Sequence, residues 1–206
     1  MRKVFYTFIF DDYDNPKEIE RKEGWEYYMI SDKPQEGWET IIDDSDLDPR
    51  LKARKALTCP HFYFDYDLCV SVGGQIEYWG ELPDEIDTDL VVWEHPDRNC
   101  IYEEAKAVIR LNKDTAENVL NKVYRFKDDG FPTNQGMIAT GFMIRRWSER
   151  MKRFSELWWD EVQKDSFRDQ LAFNYVLWKH PVIEYKTIEF AKDSRFNKHL
   201  KRVALK

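Results

Sequence analysis

Three groups of residues in this chain carry side chains suited to phosphate, sugar or proton chemistry. The first is acidic: Asp11, Asp12 and Asp14 follow one apolar run and Asp32 follows another. Carboxylates so placed can recognise the hydroxyls of a ribose or base, or hold a divalent cation through hard oxygen ligands. The competing reading is a solvated turn, since Asp is an ordinary turn former. The second is cationic, with Arg50, Lys52, Arg54 and Lys55 crowded into one short stretch. Beside strand ends they could clamp a diphosphate by charge-assisted hydrogen bonds; otherwise they form a solvated helical face.

The third group sits at two loop-to-helix junctions. The segment from Trp93 to Ala105 brings together His95, Arg98, Glu103 and Glu104. His95 could donate to a phosphate or sugar hydroxyl and Arg98 could hold an anion, while the two glutamates either join the site or complement the helix dipole. The run Ser166-Phe167-Arg168-Asp169-Gln170 precedes the apolar LAFNYVLW. Asp169 there suits a general base toward an acceptor hydroxyl, held by a bidentate pair with Arg168, or simply a charged first turn behind a helix cap. Trp147, Trp158, Trp159 and Trp178 could stack on the apolar C–H face of a pyranose, although aromatics at helical spacing are also ordinary core.

Other chemistries lack residues. His61, His95, His180 and His199 show no paired metal-ligand spacing, and no Gly-x-Ser-x-Gly, Walker A or GxGxxG string occurs. Cys59, Cys69 and Cys100 are odd in number and match no CxxC pattern, which reads as buried thiols.

The elements that must position these groups alternate in type. Residues 3–10 and 25–30 read as strands ending in acidic or polar loops, and 47–57 as a short basic helix opened by Asp48 and Pro49. A buried strand at 66–72 stops at Gly73-Gly74, and another covers 90–93. Helices follow at 102–111 and 115–126, a strand at 137–144, and helices at 150–163 and 168–178. The stretch 183–190 carries a last strand signal, and KHLKRVALK ends the chain as a basic solvated tail. The charged stretches 18–26 and 43–48 read as solvated loops. Alternating strands and helices predict an α/β architecture, with ligands at the strand ends.

Composition agrees with a packed globule: 42% hydrophobic residues, 16% aromatics, and only eight Gly and eight Pro. The expectation is one domain over residues 1–206. Lys plus Arg number 32 against 39 Asp plus Glu, a net charge of −7, which argues against a nucleic-acid backbone as partner. No apolar run approaches the ~20 residues of a membrane span, and Val4 to Phe10 lacks the length and flank of a signal peptide, so a cytoplasmic protein is expected.

The order of several blocks resembles a family of glycosyltransferase-like proteins found in bacteria, viruses and plant Golgi proteins. The similar segments are VFYTFIFDDYD at 4–14, YYMISDKP at 27–34, DPRLKARKALTCPHFYFDYD at 48–67, HPDRNCIYEEA at 95–105, and GFPTNQGMIATGFMIRR followed by WWDEVQKDSFRDQLAFNYVLWK. The resemblance implies a single-domain GT-A-type fold, a mixed and mainly parallel central sheet flanked by helices. It also implies a nucleotide-sugar donor at the strand ends, a glycan or other hydroxyl acceptor, and a divalent cation, manganese. On it, Asp169 with Arg168 and Gln170 forms the catalytic set. Asp11, Asp12, Asp32, Arg50, Arg54, Gly73, Gly74, Gln75, His95, Arg98, Glu104 and Trp158 form the substrate site. One departure matters: where the family reads Ile-Asp-Gly-Asn, this chain has Val72-Gly73-Gly74-Gln75. Glycine cannot ligate through a side chain. Either Asp32, Glu77 and His199 hold the cation, or Arg50, Arg54 and Arg98 meet the diphosphate charge, or the chain is an inactive relative that binds a glycan, nucleotide-sugar or protein.

Overall fold

A computed structural model of the chain describes residues 1–78 and 80–189. Seven strands, β1 (Lys3–Ile9), β2 (Glu26–Ser31), β3 (Glu39–Ile42), β4 (Leu68–Val72), β5 (Leu90–Glu94), β6 (Ile138–Arg146) and β7 (Tyr185–Glu189), form one sheet in the order β3-β2-β1-β4-β6-β5-β7. Only β6 runs antiparallel to its neighbours. The helices are α1 (Pro49–Thr58), α2 (Ile101–Arg110), α3 (Ala116–Asp128), α4 (Glu149–Val162) and α5 (Asp169–Lys179). The α/β class and the mainly parallel sheet are as expected; β3, a four-residue edge strand, is an element the sequence did not announce.

Local chemistry sets the helix starts. The Asp48 side chain accepts from the Arg50 N–H at 2.9 Å with Pro49 in the first turn, and Thr115 and Ser148 cap α3 and α4 in the same manner. No side chain caps α5.

The period-two alternation of the central strands divides the core. Val4, Tyr6 and Cys69 turn to one face, where Ala56 of α1 packs, and the cluster of Leu90, Val92 and Met143 with α2 to α5 continues that side. Phe5, Leu68, Val70, Val72, Phe142 and Ile144 turn to the other, which Trp25, Tyr78 and Leu82 cover from loops. Among the described residues no helical residue belongs to that second cluster. Each fully buried large side chain, such as Phe126, Phe142 or Phe154, contributes about 1.5–3 kcal/mol of burial.

Arg145, wholly buried on β6, ties the helix side together. It donates to the Leu57 carbonyl at 2.6 Å, Ser71 Oγ at 3.2 Å and Tyr6 Oη at 3.3 Å, linking the last turn of α1 to β4 and β1. Tyr6 in turn donates to the Ala56 carbonyl at 3.1 Å. The orientation of α1, which carries Arg54, is thereby fixed from beneath.

Six strands share one direction, so their carboxyl ends and the start of β6 open on a single edge of the sheet. The loops at 10–16, 31–34, 43–48, 73–75 and 95–100 all gather there. The three cysteines are free and buried. Among the described residues no helix is long and apolar enough to cross a membrane.

Candidate active site

The carboxyl edge brings α1, the start of α5 and the β5–α2 junction together. Arg54 Nε lies 3.1 Å from Asp169 Oδ1, and Asp169 is only 1% exposed. The partner of Asp169 is therefore Arg54. The bidentate pair with Arg168 expected from the sequence does not form; Arg168 instead donates weakly from Nη2 to Gln170 Oε1 at 3.5 Å. Gln170 Nε2 donates to the Ile138 carbonyl at 3.0 Å, fastening α5 to the start of β6. Burial and the nearby charge of Arg54 hold the Arg168 guanidinium below its usual pKa. Three buried polar atoms of this group, Arg54 Nε, Arg168 Nε and Asp169 Oδ2, have no hydrogen-bond partner among the described residues, so Arg54 meets Asp169 as an ion pair. Leaving such atoms unpaired costs about 1–3 kcal/mol each.

The loop before α5 is anchored through Ser166 to Asp114, a residue the sequence reading did not single out. Ser166, fully buried, donates to Asp114 Oδ2 at 2.6 Å and accepts from the Arg168 N–H at 3.3 Å. Asp114 stands just before the Thr115 cap of α3, and its other oxygen, Oδ1, accepts from the Thr115 N–H at 2.7 Å. That Asp-Thr pair before a helix was the signal that could have found it.

At the β5–α2 junction, Arg98 Nε donates to Glu104 Oε2 at 2.5 Å, and Glu104 is buried. Arg98 Nη2 lies 2.8 Å from His95 Nε2, while the Asp97 and Arg98 N–H groups point at His95 Nδ1 from 3.1 and 3.2 Å. His95, expected as a donor to substrate, is thus ringed by donors. Burial, then the Arg98 charge, pushes its pKa down to about 4. Lys113, at the α2–α3 turn, joins the two groups. Its ammonium is held below its ordinary value by partial burial of the head group and by the charges of Arg168, Arg98 and Arg54. Nothing in the sequence around it marks Lys113. Four cations thus converge on Asp169, Glu104 and Asp114.

The other cations of α1 serve the scaffold. Arg50 lies over the Phe167 ring at 5.6 Å, bracing the loop before Arg168. Lys52 Nζ donates to the Asp43 carbonyl at 3.1 Å and Lys55 Nζ to the Asp43 carboxylate at 3.2 Å. Asp43, expected in a solvated loop, is 5% exposed and also accepts from Tyr63 Oη and the Ser45 N–H. Burial alone would raise its pKa, but hydrogen bonds from Ser45, Tyr63 and Lys55 hold it well below the carboxylate range.

The acidic strand ends are exposed. Asp11 and Asp12 both adopt left-handed backbone, φ 53° and 50°, which Asp tolerates better than most residues. The Asp11 N–H donates to Asp32 Oδ2 at 3.0 Å, and Lys33 Nζ lies 2.5 Å from Asp12 Oδ1. Gly73 and Gly74 turn the chain out of β4, with Gln75 exposed beyond them. A Cβ on Gly74 would stand 2.7 Å from Ile9 Cγ1 and 3.0 Å from the Phe8 carbonyl oxygen, so β1 and this turn approach as closely as only glycine permits.

Trp158 requires a correction. It is wholly buried against Phe154 and Phe173 and cannot stack on a sugar. Its indole Nε1 instead donates to the Asp169 carbonyl at 3.0 Å, so it positions the start of α5 from within the core. Among the described residues no three His, Cys, Asp or Glu side chains are grouped to hold a metal ion. Of the expected ligands, His199 lies outside the described residues, as does the basic tail, and Asp32 is already an acceptor for Asp11.

A mainly parallel α/β sheet with these groups at its carboxyl edge has the architecture of the GT-A-like transferases. The family described as TOD1/MUCI70, glycosyltransferase-like domain, matches residues 85–204, and the chain belongs to that family. The matched span includes His95, Arg98, Glu104 and Arg168 to Gln170; α1 and Gly73 precede it. No curated protein matches the chain.

Proposed function

We propose that the protein transfers a sugar from a nucleotide-diphosphate donor to an acceptor hydroxyl, that of a glycan. The observation that carries this reading is the grouping of Arg54, Arg98, Lys113 and Arg168 with the carboxylates of Asp169 and Glu104. In an inverting transfer, the bond from the anomeric carbon to the donor phosphate oxygen breaks and its electron pair leaves with the diphosphate. The cations lower the barrier by stabilising that developing charge. The acceptor oxygen forms the new bond to the anomeric carbon, and its proton passes to Asp169 Oδ2, the oxygen without a partner. Arg54 stands beside the other oxygen and fixes the orientation of the carboxylate.

The resemblance carries an expectation of manganese, a hard ion suited to carboxylate and phosphate oxygens. The arginine cluster supports a diphosphate site that functions without it. Thermal unfolding with UDP, GDP, ADP, CMP and dTDP and their sugars, each with manganese and with chelator, tests both points. A ligand at ~100 times its Kd adds about 2.7 kcal/mol, a rise of roughly 5–10 °C for this size. One nucleobase series should raise Tm in chelator, and Arg54→Ala should remove the rise. No rise with any nucleotide under either condition overturns the reading. A second reading, a binding module without turnover, is favoured by Gly73 where the family has aspartate; it predicts the same rise with no released nucleotide.

A further inference from the structure

Arg98 is clamped on two sides and open on a third. Its Nε donates to Glu104 Oε2 and its Nη2 approaches His95 Nε2 at 2.8 Å, while Nη1 has no protein partner among the described residues. A neutral imidazole has one nitrogen that accepts and one that donates. His95 cannot serve the Asp97 and Arg98 N–H groups at Nδ1 and the guanidinium at Nε2 at the same time. The charge-assisted contact is also the shortest of the three, 2.8 Å against 3.1 and 3.2 Å, so it takes the lone pair. The proton then belongs on Nδ1. The other charged groups about the ring are Asp97 on the same loop, Lys113 from the α2–α3 turn, and Glu104 of α2, whose Oε2 is 3.7 Å from Nε2.

We infer that His95 is a positioning residue for Arg98: with Nε2 as acceptor it completes a clamp that, together with Glu104, leaves Nη1 as the arm offered to a phosphate oxygen. The inference rests on the proposed function only in placing an anion within reach of Arg98. It differs from the expectation that His95 itself touches substrate, because both ring nitrogens face protein donors. It also explains why a histidine is held neutral beside an arginine: a protonated ring would turn a second donor on the guanidinium and open the clamp.

The test uses the full chain and inorganic pyrophosphate as probe. Calorimetric titration compares the parent with His95→Asn, Arg98→Ala and the double variant. Asparagine keeps a polar side chain near the position of Nδ1 but is too short to reach Arg98. His95→Asn should weaken pyrophosphate binding about tenfold, the worth of one charged hydrogen bond, and should add no loss on top of Arg98→Ala. Equal affinity of His95→Asn and the parent, or losses that multiply in the double variant, would overturn the assignment. Imidazole nitrogen NMR on the parent decides independently of whether the variants fold: Nε2 should be the unprotonated nitrogen, and an unprotonated Nδ1 refutes the clamp. Failure of the parent to bind pyrophosphate removes the anion site along with this inference. Pyrophosphate binding without sugar transfer leaves His95 in place and removes only the transferase reading.

Discussion

Gly73→Asp restores the carboxylate that the family resemblance leads one to expect, and the structure states what it should do. The Gly73 backbone lies outside the left-handed region, and a Cβ built there would meet Gln75 Oε1 at 3.2 Å, the far end of an exposed side chain. Accommodation needs only a rotation of Gln75, so the change in stability should stay within about 0.5 kcal/mol. Gly74→Ala is the matched control, one residue on and chemically milder. Its Cβ would meet Ile9 Cγ1 at 2.7 Å and a backbone oxygen at 3.0 Å, neither of which can swing aside. Overpacking of that kind costs about 1–3 kcal/mol, or roughly 2–12 °C of Tm for a chain of this size. Urea unfolding of the three proteins measures the difference. The second arm is functional: if the arginines carry the diphosphate, the parent should bind UDP or GDP equally with manganese and with chelator, and Gly73→Asp should gain a manganese-dependent increment. Equal destabilisation by the two glycine variants refutes the packing argument. A parent that already needs manganese as strongly as Gly73→Asp refutes the substitution of arginines for the ion.

Three further outcomes follow from the same geometry. Arg54→Ala strands the buried Asp169 carboxylate and should lower stability by about 3 kcal/mol, whereas in an Asp169→Asn background the same change should cost much less; urea midpoints of the four proteins show whether the pair is coupled. The folded His95 takes up its proton at about pH 4 rather than 6.5, so between those values the unfolded chain binds more protons. Stability from this ring is therefore complete above pH 6.5 and lost as pH falls through 4, about 3 kcal/mol in all, and a His95→Asn profile should lack that component. Arg145→Lys should cost about 3 kcal/mol, because one ammonium cannot reach the Leu57 carbonyl, Ser71 and Tyr6 together, and a midpoint unchanged from the parent contradicts that role.

The strands and helices were legible wherever a run was long or its ends were punctuated. Apolar strands closed by Asp11-Asp12 or Gly73-Gly74, and a helix opened by Asp48-Pro49, announce themselves through local chemistry. The edge strand β3 did not, because four residues of mixed exposure carry too little period to register. At the site, the residue types were readable and their pairing was not. Arg168 stands beside Asp169 in sequence, yet Arg54, more than a hundred residues away, takes the carboxylate; ion-pair choice depends on how α1 lies against α5, which no spacing encodes. Asp43 and Trp158 failed in opposite senses for one reason. A polar run conceals a carboxylate sealed by Lys55 and Tyr63, and a candidate stacking surface proves to be core, because burial is decided by the tertiary neighbours of each side chain.

That division bears on how the site keeps its form. Arg54 Nε, Arg168 Nε and Asp169 Oδ2 are buried without hydrogen-bond partners among the described residues, and like charges crowd at Arg54, Arg98, Arg168 and Lys113. Such an arrangement is unfavourable by itself and persists only if the surrounding structure prevents relaxation. The restraints are on the inner side: Trp158 on the Asp169 carbonyl, Asp114 through Ser166 on the Arg168 N–H, Gln170 on the Ile138 carbonyl, and Arg145 on the end of α1. Each fixes backbone rather than a ligand-facing head group, so loss of any one should loosen several head groups at once. Changes at Trp158 or Ser166 should therefore lower diphosphate affinity without removing a single charge from the site, a result that separates a preorganised anion site from a merely basic surface.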